Sequence, residues 1–307
     1  MAEAPLKNDG PGARFTERGA DQEATLIERI GDADAVRQHP RPRALHRIAC
    51  SPPAPSCVII SIWGAGTDNV DLVACKARGV TVTNTPGVNA HALAEHTIAL
   101  MLAVTRRIPA MDRDVRAGQW PRGAPDPARG QDPGPVGLGA IGSRVAVLAK
   151  PFGMRMLATT FGAGQRPRGR ARAQHVPVEQ LLRESDIVSL HLRLSADTTG
   201  YLGKERLAMM KPTAFLINTA RGGLVDKQAL IDAVRDKRIS RRRPRCLPRG
   251  ADSSGDPLLA LPELVLTPHN GGMTREVIDN GVLRAVENIQ LFLDGKPRDL
   301  AAPPPGR

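Results

Sequence analysis

Three glycines near the middle of the chain, Gly137, Gly139 and Gly142, follow the spacing G-x-G-x-x-G. This spacing lets a strand turn tightly into a helix, lets the backbone approach a pyrophosphate and directs the helix N-terminus at that anion. Alone, it also fits an ordinary glycine-rich turn. The following residues favour the first interpretation, because residues 145–149 have the pattern of an amphipathic helix and residues 154–158 that of a short apolar strand. We therefore predict a β-α-β unit with the glycines at its first turn.

The length and composition of the chain fit two globular domains. With 307 residues, of which 41% are hydrophobic, the chain can build two cores of ordinary size. It has no uninterrupted apolar run long enough to span a bilayer, and its first residues lack the apolar stretch of a signal peptide. We therefore expect a cytoplasmic protein without a membrane partner.

The four cysteines show no C-x-x-C pair and no histidine at metal-ligand spacing. We predict no metal site. Reduced, mostly structural thiols are expected in preference to disulfides at Cys50, Cys57, Cys75 and Cys246.

The net charge of +12 raises nucleic acid as a partner, but the distribution of the charge argues against it. Thirteen arginines lie in three segments, residues 37–49, 166–172 and 241–249, which have neither helical nor strand periodicity. These thirteen positive charges alone are more than the net charge of the chain. Only 3% of the residues are aromatic, so side chains for base stacking are almost absent. We expect no nucleic-acid partner.

Apolar periodicity and breaker residues predict alternating helices and strands, which imply doubly wound parallel sheets. Residues 1–22 are predicted to form a loose tail, and residues 118–134 a Pro/Gly-rich linker. Helices are predicted over residues 23–36, 90–107, 178–184 and 228–237. Strands are predicted over residues 57–62, 79–87, 186–192 and 214–219.

Several motifs in one order allow a more specific comparison. Besides the glycine motif they are G-A-G-T-D-N-V-D at residues 64–71, N-T-P-G at 84–87, A-E-H-T at 94–97, S-D-I-V at 185–188, N-T-A-R-G-G at 218–223 and T-P-H-N-G-G at 267–272. With these motifs the chain resembles the D-isomer-specific 2-hydroxyacid dehydrogenases, and within them the phosphoglycerate dehydrogenase and hydroxypyruvate reductase branch. The resemblance covers residues 24–300, with gaps.

The resemblance implies two Rossmann-like domains. The substrate-binding domain would be split between residues 1–89 and 276–307, and residues 90–275 would form the NAD-binding domain. It also implies NAD as cofactor, a small 2-hydroxy or 2-keto acid as substrate and a homodimer formed through the cofactor domain.

The same resemblance assigns two catalytic residues. Arg221 would grip the substrate carboxylate, since a guanidinium can hold both oxygens through parallel hydrogen bonds. His269 would take the hydroxyl proton, a role that suits imidazole because its pKa lies near working pH. Backbone amides of Gly64, Ala65 and Gly66 would complete the carboxylate site. Cofactor contacts are expected from Gly137, Gly139, Ala140, Ile141, Gly142, Thr160, Thr97, Thr219 and Ala220.

The first departure from the family pattern concerns a carboxylate. Members carry an acidic residue that orients the catalytic histidine, in a segment similar to L-D-V-F-x-x-E-P, whereas residues 240–251 here read S-R-R-R-P-R-C-L-P-R-G-A. One allowed set of codons for this segment, read one base later, encodes A-G-A-A-L-D-V-F-P-E-E. We therefore hypothesise that the segment is a frameshift product. Without the carboxylate we expect severely impaired turnover.

Two further departures affect the cofactor unit. Thr159 and Thr160 stand where an acidic residue would bind the ribose hydroxyls, so NADP, with Arg166 or Arg168 near its 2′-phosphate, is an alternative to NAD. Pro133 and Pro135 occupy the strand before the glycine turn, and proline cannot donate to the ladder of a central strand. We expect that strand to be weakened.

Overall fold

The structure is a computed structural model that describes residues 35–38, 57–68, 70–123, 127–128, 130–160, 173–236, 245–248 and 255–302. It separates into two compact units. Met1–Asn89 and Thr274–Arg307 form one, which we call the terminal unit, and Ala90–Met273 forms the other, which we call the central unit. The predicted tail over residues 1–22 lies outside the described residues.

The helices and strands are numbered in chain order. They are β1 (Ala35–Gln38), β2 (Ile59–Ile62), α1 (Leu72–Ala77), β3 (Thr81–Thr83), α2 (Ala90–Thr105), α3 (Ile108–Arg116), β4 (Pro133–Val136), α4 (Ala140–Ala149), β5 (Leu157–Ala158), β6 (Gln174–His175), α5 (Val178–Glu184), β7 (Ile187–Leu190), α6 (Lys204–Met209), β8 (Phe215–Asn218), α7 (Lys227–Arg235), β9 (Arg245–Pro248), β10 (Leu264–Thr267), α8 (Arg275–Leu293) and β11 (Leu300–Ala302).

The terminal unit contains a four-stranded sheet in the order β1-β2-β3-β11. The first three strands run parallel, and β11 pairs antiparallel to β3. Helix α8 packs against β2, where the Ser61 hydroxyl donates a 2.8 Å hydrogen bond to the Ala285 carbonyl oxygen. Gly281 leaves room on α8 for the indole of Trp63, since a Cβ at this position would collide with the ring.

The central unit contains a parallel sheet in the order β10-β9-β8-β7-β4. A parallel bridge between Val136 and Thr159 links β4 to β5, and β6 pairs parallel with β5. The chain therefore winds outward from β4 to β6 and returns to β7 on the other side of β4. This reversal places a topological switch point between β4 and β7, where open α/β sheets bind ligands. The predicted doubly wound parallel architecture is confirmed.

Alternating side chains of the central sheet build a core on each face. Ile187, Phe215 and Ile217 pack with α2, whereas Val188 and Leu216 pack with the helices of the opposite face. These strands are buried on both sides, as expected for parallel strands covered by helices.

The two prolines of β4 do not prevent its pairing with β7, so the weakening expected from them is confined to the β5 side of the strand. Pro135 faces β5, because its carbonyl oxygen accepts from Thr159, whereas Val136 faces β7 and accepts from His191. Since neighbouring residues of a strand face opposite ways, Pro133 also faces β5. The N–H groups that proline lacks would therefore have pointed toward β5.

Other sequence predictions need correction. Ala35 and Val36 lie in strand β1, although they were predicted to end a helix; residues 23–34 of that helix lie outside the described residues. The predicted linker over residues 118–134 ends too late, because β4 begins at Pro133.

Cys75 takes part in a disulfide, so the expectation of reduced thiols was wrong for this residue. Cys57 is reduced and buried, and its thiol donates to the Ile59 carbonyl oxygen at 3.6 Å.

Candidate active site

The glycine motif forms the turn between β4 and α4, as the spacing predicts. Gly137 has φ +103°, a backbone conformation that side chains rarely adopt, and a Cβ here would lie 2.9 Å from the carbonyl oxygen of His191. A Cβ on Gly142 would collide with the Gly137 carbonyl oxygen, so this glycine lets the helix approach the strand. Space is open beside Gly139, the N-cap of α4, where a Cβ would meet nothing within 4 Å. This turn therefore fits a pyrophosphate at a helix N-terminus.

His191 supports the glycine turn from the neighbouring strand. It follows β7, and its Nε2 lies 2.9 Å from the Ser189 hydroxyl. Burial lowers the pKa of His191 to about 4, so the ring is neutral at neutral pH. His191 was not among the site residues predicted from the sequence, although its position directly after a buried strand was a usable signal.

Arg221 lies in the loop that follows β8. The buried Asn218 fixes this loop, because its side-chain amide donates to the Arg221 carbonyl oxygen at 2.8 Å and its side-chain oxygen accepts from the Ala220 amide at 3.0 Å. The Arg221 guanidinium donates to the Ala220 carbonyl oxygen. Asn218, which was not predicted as a site residue, therefore orients the backbone that carries Arg221.

His269 lies in the loop that follows β10 and faces Arg221. Its Nε2 is 3.5 Å from Nη1 of Arg221, and both side chains belong to the central unit. Arginine can only donate, so a hydrogen bond in this contact requires an unprotonated Nε2 on the imidazole. His269 has φ +56°, which is uncommon for a residue other than glycine. The structure thus brings together the two residues that the resemblance assigned to catalysis.

Helix α2 contacts both of these loops. The Thr97 and Thr219 hydroxyl oxygens are 3.0 Å apart, and the Thr97 hydroxyl also donates to the Leu93 carbonyl oxygen. Thr97 is fully buried, so its side chain contacts protein atoms. The preceding residue, His96, packs against Gly271 in the His269 loop, and burial lowers the pKa of His96.

Thr160 follows β5, next to the carboxyl end of β4. The hydrogen bond from the Gly137 amide to the Thr159 carbonyl oxygen, 2.8 Å long, joins the two chain segments at this edge. Thr160 therefore directly follows Thr159, the residue that is hydrogen-bonded to the glycine turn. Arg166 and Arg168 lie outside the described residues.

The glycine-rich turn of the terminal unit follows β2. The Gly64 amide donates to the Thr85 hydroxyl at 2.7 Å, and the Ala65 carbonyl oxygen accepts from the Asn84 side chain at 2.9 Å. The Gly64 N–H is thus already engaged within this unit. A role for the amides of Gly64, Ala65 and Gly66 in carboxylate binding stays a prediction.

The segment that lacks the expected carboxylate contributes strand β9, which lies between β8 and β10. Both oxygens of Asp256, one candidate replacement, are used nearby: one accepts from Lys227 Nζ at 2.6 Å and the other from the Leu258 amide at 3.0 Å. Glu263 is exposed, and Asp252 lies outside the described residues. Within the described ranges no group of three or more histidine, cysteine or acidic residues forms a metal site.

Comparison with known proteins agrees with this geometry. Residues 98–271 match the family model for the NAD-binding domain of D-isomer-specific 2-hydroxyacid dehydrogenases. The chain is 36% identical to a glyoxylate reductase of Aeropyrum pernix, over 89% of this chain and 83% of that protein. It is 37% identical to D-3-phosphoglycerate dehydrogenase of Mycobacterium leprae, over 79% of this chain and 46% of that protein.

A solved structure shows the same fold. D-lactate dehydrogenase from Aquifex aeolicus, complexed with NAD and lactic acid, superimposes with a TM-score of 0.80 at 25% identity, covering 91% of this chain and 89% of that one. Among the helices in the described part of the chain, none combines the length and apolar character needed to cross a membrane. The matched residues, the parallel sheet and the glycine turn together establish that the chain belongs to the D-isomer-specific 2-hydroxyacid dehydrogenase family, whose cofactor is NAD.

Proposed function

We propose that this chain interconverts a small 2-hydroxy acid and its 2-keto acid with NAD. The observation that carries the proposal is the 3.5 Å separation between Arg221 Nη1 and His269 Nε2, in the same unit as the glycine turn. A fixed positive charge and an imidazole with an unprotonated nitrogen are the groups needed to hold a carboxylate and to move the proton of a neighbouring hydroxyl.

The open space beside Gly139 supports a pyrophosphate there, held by the backbone of Gly137 through Gly142, which includes Ala140 and Ile141. We propose that Thr160 binds the ribose and that Thr219 and Ala220 lie near the nicotinamide. Thr97, being buried against Thr219, acts through that residue.

Bound NAD supplies the nicotinamide ring that accepts a hydride from C2 of the hydroxy acid or returns one to the keto acid. Arg221 holds the carboxylate through its paired N–H groups. During oxidation His269 accepts the hydroxyl proton on Nε2, and during reduction it returns that proton to the forming alkoxide. The products of oxidation are a 2-keto acid, NADH and a proton held first by His269.

Turnover is proposed to be slow, because the segment of residues 240–251 supplies no carboxylate. An acidic residue beside a catalytic histidine orients the ring and stabilises its protonated form. An alternative function follows from the same observation: a dinucleotide-binding protein that acts as a sensor or scaffold without catalysis.

An absorbance assay of NADH oxidation separates these two functions. Glyoxylate, hydroxypyruvate and phosphohydroxypyruvate are the substrates to compare, since named relatives act on glyoxylate and on 3-phosphoglycerate. Slow but saturable turnover with one of them supports the enzyme. Tight NADH binding without turnover supports the sensor or scaffold and contradicts catalysis.

The assay repeated with NADPH tests the cofactor preference. Thr160 offers a hydroxyl where an acidic residue would repel a 2′-phosphate, so NADPH is expected to bind with measurable affinity beside NADH. An affinity for NADH far above that for NADPH would contradict this part of the proposal.

We also propose that the protein is a homodimer through the central unit. Helix α3 carries Ile108, Met111 and Val115 on one face, and none of its residues is buried in the single chain. Trp120, which follows α3, is 77% exposed. Apolar surface of this kind, in a dehydrogenase expected to pair through its cofactor domain, is typical of an interface between copies.

A further inference from the structure

Gly271 and His96 approach each other more closely than a side chain at position 271 would permit. A Cβ on Gly271 would lie 2.8 Å from Cγ and 3.0 Å from Nε2 of His96, and would collide with the Cδ2 atom of the same ring. Gly271 is not in the left-handed backbone region, so the glycine is needed for space. The imidazole of His96 therefore packs directly on the backbone of the loop that carries His269.

His269 needs such support from its surroundings. Its φ of +56° is a conformation that costs about 1 kcal/mol or more for a residue other than glycine and persists only where the neighbouring structure enforces it. Within the loop, the Met273 amide donates to the Asn270 carbonyl oxygen at 2.8 Å and closes a turn around Gly271. His96 packs against the centre of this turn.

The neighbouring residue of α2 contacts the second loop. Thr97 meets Thr219, which precedes Arg221 by two residues, while His96 meets Gly271, which follows His269 by two residues. Consecutive residues of one helix thus contact both loops whose side chains must face each other. A helix is rigid over this distance, so it can set the separation of the two loops.

We propose that His96 is a positioning residue for His269. Its flat ring, packed on Gly271, fixes the distance between the His269 loop and Arg221, so that Arg221 can hold the carboxylate while His269 accepts the neighbouring hydroxyl proton. This inference rests on the proposed function, because it assigns the proton transfer to His269. The ring acts here through its shape. Phenylalanine is therefore expected to replace it, whereas alanine and leucine are not.

The test combines kinetics with a double-mutant cycle. We expect His96→Ala and His96→Leu to lower kcat about 10-fold with the KM for NADH within about twofold of the parent chain, since supporting residues of a site contribute about 10- to 100-fold. His96→Phe should stay within about threefold. Gly271→Ala should lower both Tm and kcat, and adding His96→Ala should restore part of each, because the new methyl group then has space.

Gly203→Ala is the matched control for the glycine substitution. A Cβ at Gly203 would be 3.6 Å from the nearest atom, the Gly200 carbonyl oxygen, which is an ordinary contact. This variant should keep the parent kcat, and its Tm should fall only by the small cost of alanine at the N-cap of α6.

The His269 ring provides a readout independent of turnover. The chain has seven histidines, so ¹⁵N-histidine labelling with a His269→Asn variant identifies the His269 resonance. We expect His96→Ala to change its chemical shifts and titration, and His96→Phe to leave them close to those of the parent chain.

Additive effects of His96→Ala and Gly271→Ala on Tm would overturn the inference. So would coupling in Tm with an unchanged His269 spectrum, because His96 would then serve stability alone. If the parent chain binds NADH but turns over no keto acid, the proposed function fails, while the Tm cycle and the His269 spectrum still decide whether His96 positions the loop.

Discussion

Arg221 Nη1 lies 3.5 Å from His269 Nε2, across the carboxyl end of strand β9. Arg221 follows β8 and His269 follows β10, and β9 separates these two strands in the sheet. Residues that are 48 positions apart in the chain therefore meet at one edge, because parallel strands place their carboxyl ends together. Strand β9, which ends at Pro248, belongs to the arginine-rich segment.

Arg221→Lys is expected to lower kcat/KM for the keto acid about 100-fold, since lysine cannot form the paired hydrogen bonds with a carboxylate. The NADH dissociation constant, measured by fluorescence titration, should not change. Arg193→Lys, at an exposed position, is the control. Equal kcat/KM for Arg221→Lys and the parent chain would remove Arg221 from the carboxylate site.

Restoring the family segment is expected to raise activity. The register pairs Pro248 with Thr267, two residues before His269. In the family pattern the carboxylate that orients the catalytic histidine comes from the segment that contains this strand. Replacing residues 240–250 by A-G-A-A-L-D-V-F-P-E-E should increase kcat by about 10- to 100-fold.

The matched control carries glutamine in place of the last glutamate of that segment, so it keeps the shape and loses the charge. Equal activity of the two replacements would contradict the role of the carboxylate. Sequencing of the gene over residues 237–258 tests the frameshift hypothesis independently, because only some codons allow the shifted reading.

Two glycine substitutions distinguish the role of the glycine turn in cofactor binding from its role in stability. Gly139→Ala should keep Tm within about 2 °C while NADH affinity falls at least about 10-fold, because the methyl group enters open space where the pyrophosphate approaches. Gly142→Ala should lower Tm as well, since its Cβ would collide with the Gly137 carbonyl oxygen. Thermal melting with and without NADH measures both effects. Unchanged NADH affinity in Gly139→Ala would place the pyrophosphate elsewhere.

Local patterns predicted part of the central sheet, and long-range contacts account for what they missed. The glycine spacing fixed the turn before α4, and the apolar runs located β7 and β8 to within two residues, because these signals are local. The contact between His96 and Gly271 joins residues that no periodicity relates. Likewise, only the pairing of β4 with its two neighbours reveals that Pro133 and Pro135 face the side where few donors are needed.

Substituting Trp120 tests the proposed homodimer. Trp120→Glu should shift the mass measured by light scattering from twice the chain mass of 32.8 kDa toward that of a single chain, because a charge is costly to bury in an apolar interface. Val73→Glu, at a residue that is 81% exposed in the terminal unit, is the control and should not change the mass. A parent chain that remains monomeric at high concentration would contradict the proposal.

His191 is expected to make the protein sensitive to acid. Its pKa is about 4 in the folded protein and 6.5 when exposed, so between these values the unfolded chain binds more protons than the native one. Stability from the neutral ring is fully present above pH 6.5 and is lost as the pH falls through 4, by roughly 3 kcal/mol in all for a shift of this size. His191→Asn keeps a polar group beside Ser189 but cannot titrate. Urea unfolding at pH 7.0 and 5.0 should show a smaller loss of unfolding free energy in this variant than in the parent chain. Equal losses would mean that other groups cause the acid sensitivity.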